Sequence, residues 1–382
     1  MSANQRLVFP EFLSESLSRV YDGRLQEIMN SLGRMGDRYY FRLNTLAAYR
    51  WDILAEMRRM HPDVGQHEFL NEAAYLSVRE SILQPKGSFV EADPFAAEAV
   101  LHGAHLYAPG VRKCSEIKIG KDASVTDPSG ILAGTGVAVR SETSILTNRQ
   151  GIAVKIENSK YGLPSLMETE PYAKGHIHLQ SLPAMVTCLA LDPQPNETIV
   201  DLNCAPGGKL SYICQLTENR ARTIGFDRNE QKIDRAARTV ERLKCANYRL
   251  IAHDSRYAHI DYNLKADRVL VDPPSTALGV TPKLSIRTGA NDITNLSSYQ
   301  KQFLTTAAAL VKKGGTVVYS VCTISLEECE EMSRYAEDEL GLEQVEATPR
   351  LGHGSIDGYR LCQRFDPALD GTGYFIAKFI KN

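Results

Sequence analysis

Cys322 has the strongest claim to chemistry in this sequence, because of what surrounds it. Thr316-Val-Val-Tyr-Ser-Val-Cys-Thr-Ile324 follows a Lys-Lys-Gly-Gly turn and reads as a β-strand, and Glu327-Glu-Cys-Glu-Glu331 reads as a helix. Cys322 is therefore expected where a strand leaves the carboxyl edge of a sheet. An isolated cysteine is most often a small buried hydrophobe. A ligand pocket expected along the same edge tips the balance toward a nucleophile. A free thiol, with a pKa of about 8.5, is a few per cent thiolate at neutral pH and already reactive.

That pocket is read from four strand ends. Asp201-Leu-Asn-Cys-Ala-Pro-Gly-Gly-Lys209 closes a strand and opens a helix, so backbone N–H groups can approach a ligand at the positive end of a helix dipole. It is neither a dinucleotide fingerprint nor a P-loop. Asp227 ends the next strand, where an acid can take both hydroxyls of a ribose; Asp254 ends the third, and Asp272-Pro-Pro-Ser275 the fourth. Each acid alone could be a helix cap. Together, on one edge, they predict one site. An acid-lined pocket suits adenosine without a pyrophosphate, which favours S-adenosylmethionine. Beside a methyl sulfonium, a thiolate has one clear use. Its addition to C6 of a pyrimidine makes C5 nucleophilic, and loss of the C5 proton then expels the thiol.

The elements that must position these residues fall into three regions. Residues 1–88 read as mostly helical. Leu13, Leu17, Val20, Tyr21, Leu25, Ile28, Met29 and Leu32 recur at helical steps, Tyr39–Asn44 is β-prone, and a second helical pattern runs from Leu46 to Met57. Residues 89–169 carry short apolar runs between turn signals, at 105–110, 116–120, 136–139 and 151–156, and predict a small β-barrel. Residues 170–382 alternate strands (198–202, 222–226, 248–251, 268–271, 316–319) with helices near 209–218, 229–245, 296–312 and 325–339. This alternation predicts a parallel sheet covered on both faces.

Composition narrows the partners. The 382 residues are 43% hydrophobic and 24% charged with a formal net charge of −2, ordinary for a globular protein. A polycationic coat is excluded, whereas a local basic groove is not. The longest apolar run, Leu182–Leu191, is too short to span a bilayer, and Met1–Arg6 lacks a signal-peptide design. Eight cysteines without C-x-x-C spacing argue against a zinc site and a disulfide framework. They point to a reducing cytoplasm.

The motifs together resemble the NOL1/NOP2/Sun (Nop2/Sun) family of RNA 5-cytosine methyltransferases. The matching pieces are Asn203–Lys209, Asp227, Asp254, Asp272-Pro-Pro-Ser275 with Ala277-Leu-Gly279, Tyr319–Ile324, Arg364–Pro367 and Gly373–Lys378. Val100-Leu-His-Gly-Ala-His-Leu-Tyr-Ala-Pro-Gly110 resembles a PUA-domain signature, and Tyr40–Thr45 resembles the family's RNA-recognition-like segment. The arrangement is similar to the PUA-containing sixth family member, which modifies cytosine 72 of certain tRNAs. The resemblance implies a Rossmann-like α/β methyltransferase core over 170–382, a PUA barrel over 89–169 and a helical, RNA-recognition-like region over 1–88. It implies a tRNA cytosine-5 methyltransferase, monomeric and without metal, that contacts the acceptor stem and CCA end. S-adenosyl-L-methionine would be held by Asn203, Cys204, Ala205, Pro206, Gly207, Gly208, Lys209, Asp227, Asp254 and Asp272. Cys322, Asp272 and Lys209 would be catalytic, the last two facing the target base.

Two departures stand out. Most members carry a second cysteine after the Pro-Pro pair, with a proposed part in taking the C5 proton and releasing product; here that position is Ser275. Cys204 is displaced by one within the glycine turn, and no catalytic role is expected for it. Two other readings compete. Amino-group methyltransferases share Asp-Pro-Pro but place an aromatic ring where Ser275 stands, and have no use for Cys322. A PUA protein with a methyltransferase fold that no longer turns over has only Ser275 in its favour.

Overall fold

In the computed structural model, residues 7–356 and 358–382 are described; the N-terminal hexapeptide inspected for a signal lies outside them. Five parallel strands, in the order Tyr248–Ala252, Arg222–Asp227, Thr198–Asp201, Ala266–Val271 and Val311–Val321, form the central sheet. Tyr374–Lys381 adds antiparallel to the last of these, and Gln363–Phe365 and Leu342–Val345 add to it in turn. The central strands carry apolar segments such as Ile199–Val200 and Val269–Val271, fully buried because both faces are covered. Ala290–Leu310 and Glu330–Asp338 pack on one face, and Leu182–Leu191 and Gly208–Leu216 on the other. Strand order reverses between Thr198–Asp201 and Ala266–Val271, which opens a crevice at the carboxyl edge. The α/β, Rossmann-like expectation holds, extended by the antiparallel strands.

The first region differs from its mostly helical reading. It carries an antiparallel sheet of Arg38–Leu43, Ala73–Ser77 and Gly65–Gln66, completed by Ile177–Leu179 from beyond the barrel. The single helix expected through Leu13–Leu32 is broken. Glu11–Tyr21 ends at Asp22, whose φ is +32°, and Leu25–Ser31 resumes after one 3₁₀ turn. Both pieces still bury the expected apolar face. Leu13, Leu17, Ile28 and Leu32 pack on Leu278, Ile293 and Ile324, so this helix pair supports the loops around Cys322.

The barrel region holds six strands. Ser88–Ala92, Val111–Cys114 and Asp122–Thr126 are strands the pattern did not single out. The run 116–120 is a turn and not a strand: Glu116 has φ +58°, and only Ile117 of its two isoleucines is buried.

Candidate active site

The strand Thr198–Asp201 delivers the glycine turn to the crevice. Gly207 sits at φ +103°, its N–H bonds the Cys204 carbonyl at 2.7 Å, and the helix Gly208–Leu216 starts immediately after it. That backbone favours glycine. Asn203 anchors the turn through its N–H to Asp201 Oδ1 at 3.1 Å, and its own Oδ1 is buried without a hydrogen-bond partner. Ala205 is half-buried and Pro206 exposed. The Cys204 side chain points away, into a core cluster with Leu210, Cys214 and Val240, and burial pushes its thiol far up. Its expected part in ligand binding is thereby confined to its backbone.

The acids stand on the same edge. Asp227 Oδ1 accepts the Asn229 N–H at 3.1 Å, and Lys232 lies 3.9 Å from Oδ2. Both Asp254 oxygens are taken by Arg256, at 2.9 Å from Nε and 2.6 Å from Nη2, and this bonding lowers its pKa. Asp201 is enclosed. Burial first, then Asp272 and Asp227, push it up to about 7, against the pull of the Asn203 N–H and Lys209.

Lys209 Nζ and Asp272 Oδ2 form an ion pair at 2.6 Å. Burial alone would depress Lys209; the adjoining Asp272 outweighs it and holds the ammonium well above the usual lysine range. Asp272 Oδ1 accepts from Ser320 at 2.8 Å and from the Tyr374 hydroxyl at 3.1 Å. Ser320 and Tyr374 were not singled out by sequence reasoning. Both lie in apolar strand runs; the pairing of Ala266–Val271 with Val311–Val321 brings Ser320 beside Asp272, and the pairing of Val311–Val321 with Tyr374–Lys381 brings Tyr374 there.

Cys322 follows directly on the strand Val311–Val321 and is partly exposed. Its Sγ lies 3.6 Å from Ser275 Oγ. Burial raises the thiol pKa and Asp272 adds to that, whereas the Ser275 contact and Lys209 lower it. Its carbonyl accepts the Gly279 N–H at 3.1 Å, and Gly279 in turn approaches Gly373 so closely that a Cβ would meet the Gly373 carbonyl at 2.0 Å. The helix expected from 325 begins at Glu330; residues 323–329 form a loop around the buried Glu328. One crevice thus collects the glycine turn, Asp227, Lys209, Asp272, Ser275 and Cys322. Its carboxylates and the orphaned Asn203 oxygen fit a ligand that carries positive charge and hydrogen-bond donors, as S-adenosylmethionine does.

Comparison with known proteins agrees with this chemistry. The family described as 16S rRNA methyltransferase RsmB/F matches residues 188–380, and the PUA domain matches 89–159. The tRNA (cytosine(72)-C(5))-methyltransferase of Pyrococcus horikoshii is 35% identical, over 100% of this chain and 99% of its own. Mouse tRNA (cytosine(72)-C(5))-methyltransferase NSUN6 is 27% identical, over 89% of this chain and 85% of its own. The crystal structure of NSun6 from Pyrococcus horikoshii with SFG superposes with a TM-score of 0.88 at 34% identity, covering 98% of each chain.

Proposed function

The chain belongs to the RsmB/F (Sun) family of RNA cytosine-C5 methyltransferases and carries a PUA domain, and from that premise we propose that it methylates cytosine 72 of tRNA with Cys322 as nucleophile. The observation that carries the reading is Cys322 Sγ on the same strand edge as the Lys209–Asp272 pair, in a chain that matches a cytosine-72 enzyme from end to end. S-adenosylmethionine supplies the electrophilic methyl group. The turn 203–209 with Asp227, Asp254 and Asp272 would hold it, Cys204 through its backbone.

Cys322 adds through Sγ to C6 of the target cytosine. Asp272, held by Ser320, Tyr374 and Lys209, faces the polar edge of the base, where its fixed carboxylate orients the ring. After methylation at C5, the C5 proton must leave before Cys322 is expelled. Ser275 is a poor base, so it orders a water that takes this proton.

Residues 1–88 joined by the strand Ile177–Leu179, residues 89–169 and the rest of 170–382 divide the labour as RNA-recognition-like region, PUA domain and catalytic domain. The protein acts as a monomer in the reducing cytoplasm, which suits its eight free cysteines. A cytosine inside a stem must be unpaired and flipped at a cost of about a few kcal/mol. Contacts of the PUA domain with the single-stranded CCA end help offset that cost. The test compares an intact tRNA transcript with one trimmed of CCA, using labelled methyl donor and mapping 5-methylcytosine. Methylation at position 72 that drops sharply on trimming is expected. Product at another position contradicts the site assignment, and an unchanged rate on trimmed tRNA removes the barrel from recognition.

A further inference from the structure

Behind the two reactive side chains lies a carboxylate with no part in the chemistry so far. Glu328 has no exposed surface. Its Oε1 accepts the Thr276 N–H at 3.0 Å and Gln300 Nε2 at 2.9 Å. Its Oε2 accepts the hydroxyls of Thr276 and Ser325 (3.0 Å) and has the Thr323 hydroxyl at 3.2 Å, which also lies 2.7 Å from that of Thr276. Gln300 uses its other N–H on the Pro274 carbonyl at 2.9 Å, and is itself fixed by the Tyr319 hydroxyl at 3.0 Å.

These contacts have a definite distribution. Pro274 and Thr276 flank Ser275 on both sides, and Thr323 and Ser325 follow Cys322. One carboxylate therefore binds two loops from neighbouring strands, each next to a reactive side chain. A buried carboxylate is a costly way to fill a core, and it is tolerated when its oxygens are fully bonded. Here two N–H groups and a cluster of three hydroxyls converge on it.

Resting on the reading of Cys322 as nucleophile, we propose that Glu328 is a positioning residue, the latch that keeps the Ser275 loop and the Cys322 loop in one frame. It touches neither base nor methyl donor. Its effect is on the geometry in which Sγ meets C6 and the Ser275-bound water meets the C5 proton.

The test compares Glu328→Leu with Glu328→Gln in steady-state methylation, corrected for folded fraction. Glutamine keeps an acceptor for the Thr276 N–H and Gln300, and its amide can donate to hydroxyls that turn to accept. It is expected to stay within a few-fold of the natural kcat. Leucine is expected to lower kcat by about 100-fold, the scale of an ångström-sized misplacement, with KM for tRNA and for S-adenosylmethionine unchanged. Should Glu328→Leu fail to fold, Thr276→Val against Thr276→Ser decides: the valine loses kcat and the serine recovers it. Unchanged kcat in folded Glu328→Leu, a loss confined to KM, equal damage from glutamine and leucine, or Thr276→Val matching Thr276→Ser would each overturn the proposal. A natural protein inactive on tRNA would instead sink the reading of the reaction, and the latch with it.

Discussion

The Sγ of Cys322 lies 3.6 Å from the Oγ of Ser275, although the two residues are 47 positions apart. They follow the neighbouring parallel strands Val311–Val321 and Ala266–Val271, whose pairing brings the two loops together at the carboxyl edge. A hydroxyl therefore stands against the proposed nucleophile at the position where the family resemblance places a second thiol.

In the proposed mechanism Ser275 would change the last step and not the first. An alcohol cannot match a thiolate as a base, and general-base help is worth about 10²–10⁴-fold. With a water in that role, product release should be slow and part of the enzyme caught covalently on methylated RNA. Ser275→Cys should shrink that trapped fraction and speed turnover, as read on a denaturing gel with labelled tRNA. No trapped species in the natural protein, together with no gain from Ser275→Cys, would rule out the water.

The raised Cys322 pKa fixes a pH dependence. Burial favours the neutral thiol, so at pH 7 less thiolate is present than in a free thiol of pKa about 8.5. Alkylation of Cys322 in the folded protein by iodoacetamide, followed by mass spectrometry of its peptide, should keep quickening from about pH 7 to 8.5 without levelling. A flat rate over that window would mean that the thiolate is already formed.

Asp201 ties stability to pH in the opposite sense from a surface salt bridge. Its folded pKa, pushed up to about 7, exceeds the unfolded value of about 3.9, so the folded chain keeps a proton that the unfolded chain releases. Its stabilising contribution is whole below about pH 4. It is lost at about 1.4 kcal/mol per pH unit as the pH climbs toward 7. Asp201→Asn keeps an acceptor for the Asn203 N–H and removes the titration. The variant's Tm relative to the natural protein should rise between pH 5 and pH 8. The same difference at both values would mean that Asp201 titrates as an ordinary carboxyl.

The catalytic sheet was legible because its central strands are buried on both faces and carry short apolar, β-prone segments. The glycine turn, the acids and Cys322 then follow from where each run ends. Of the N-terminal sheet only the strand Arg38–Leu43 was legible, as the β-prone run Tyr39–Asn44; the rest was not. Its strands are short, Ala73–Ser77 has little β character, and Ile177–Leu179 reaches it only after the whole barrel has intervened. Asp22-Gly23 breaks a helix whose apolar spacing continues across it, because periodicity reports the buried face and not backbone continuity. Ser320, Tyr374 and Glu328 escaped for a related reason. Each owes its role to a partner far away in sequence, and no local pattern marks a residue by what it will meet.

The claim on which all of this depends is that Cys322 forms the bond to the base. Cys322→Ala, a small change in volume, should leave tRNA and S-adenosylmethionine binding near normal. It should abolish both 5-methylcytosine formation and the covalent protein–RNA species on a denaturing gel. Near-normal methylation by Cys322→Ala would contradict the mechanism outright.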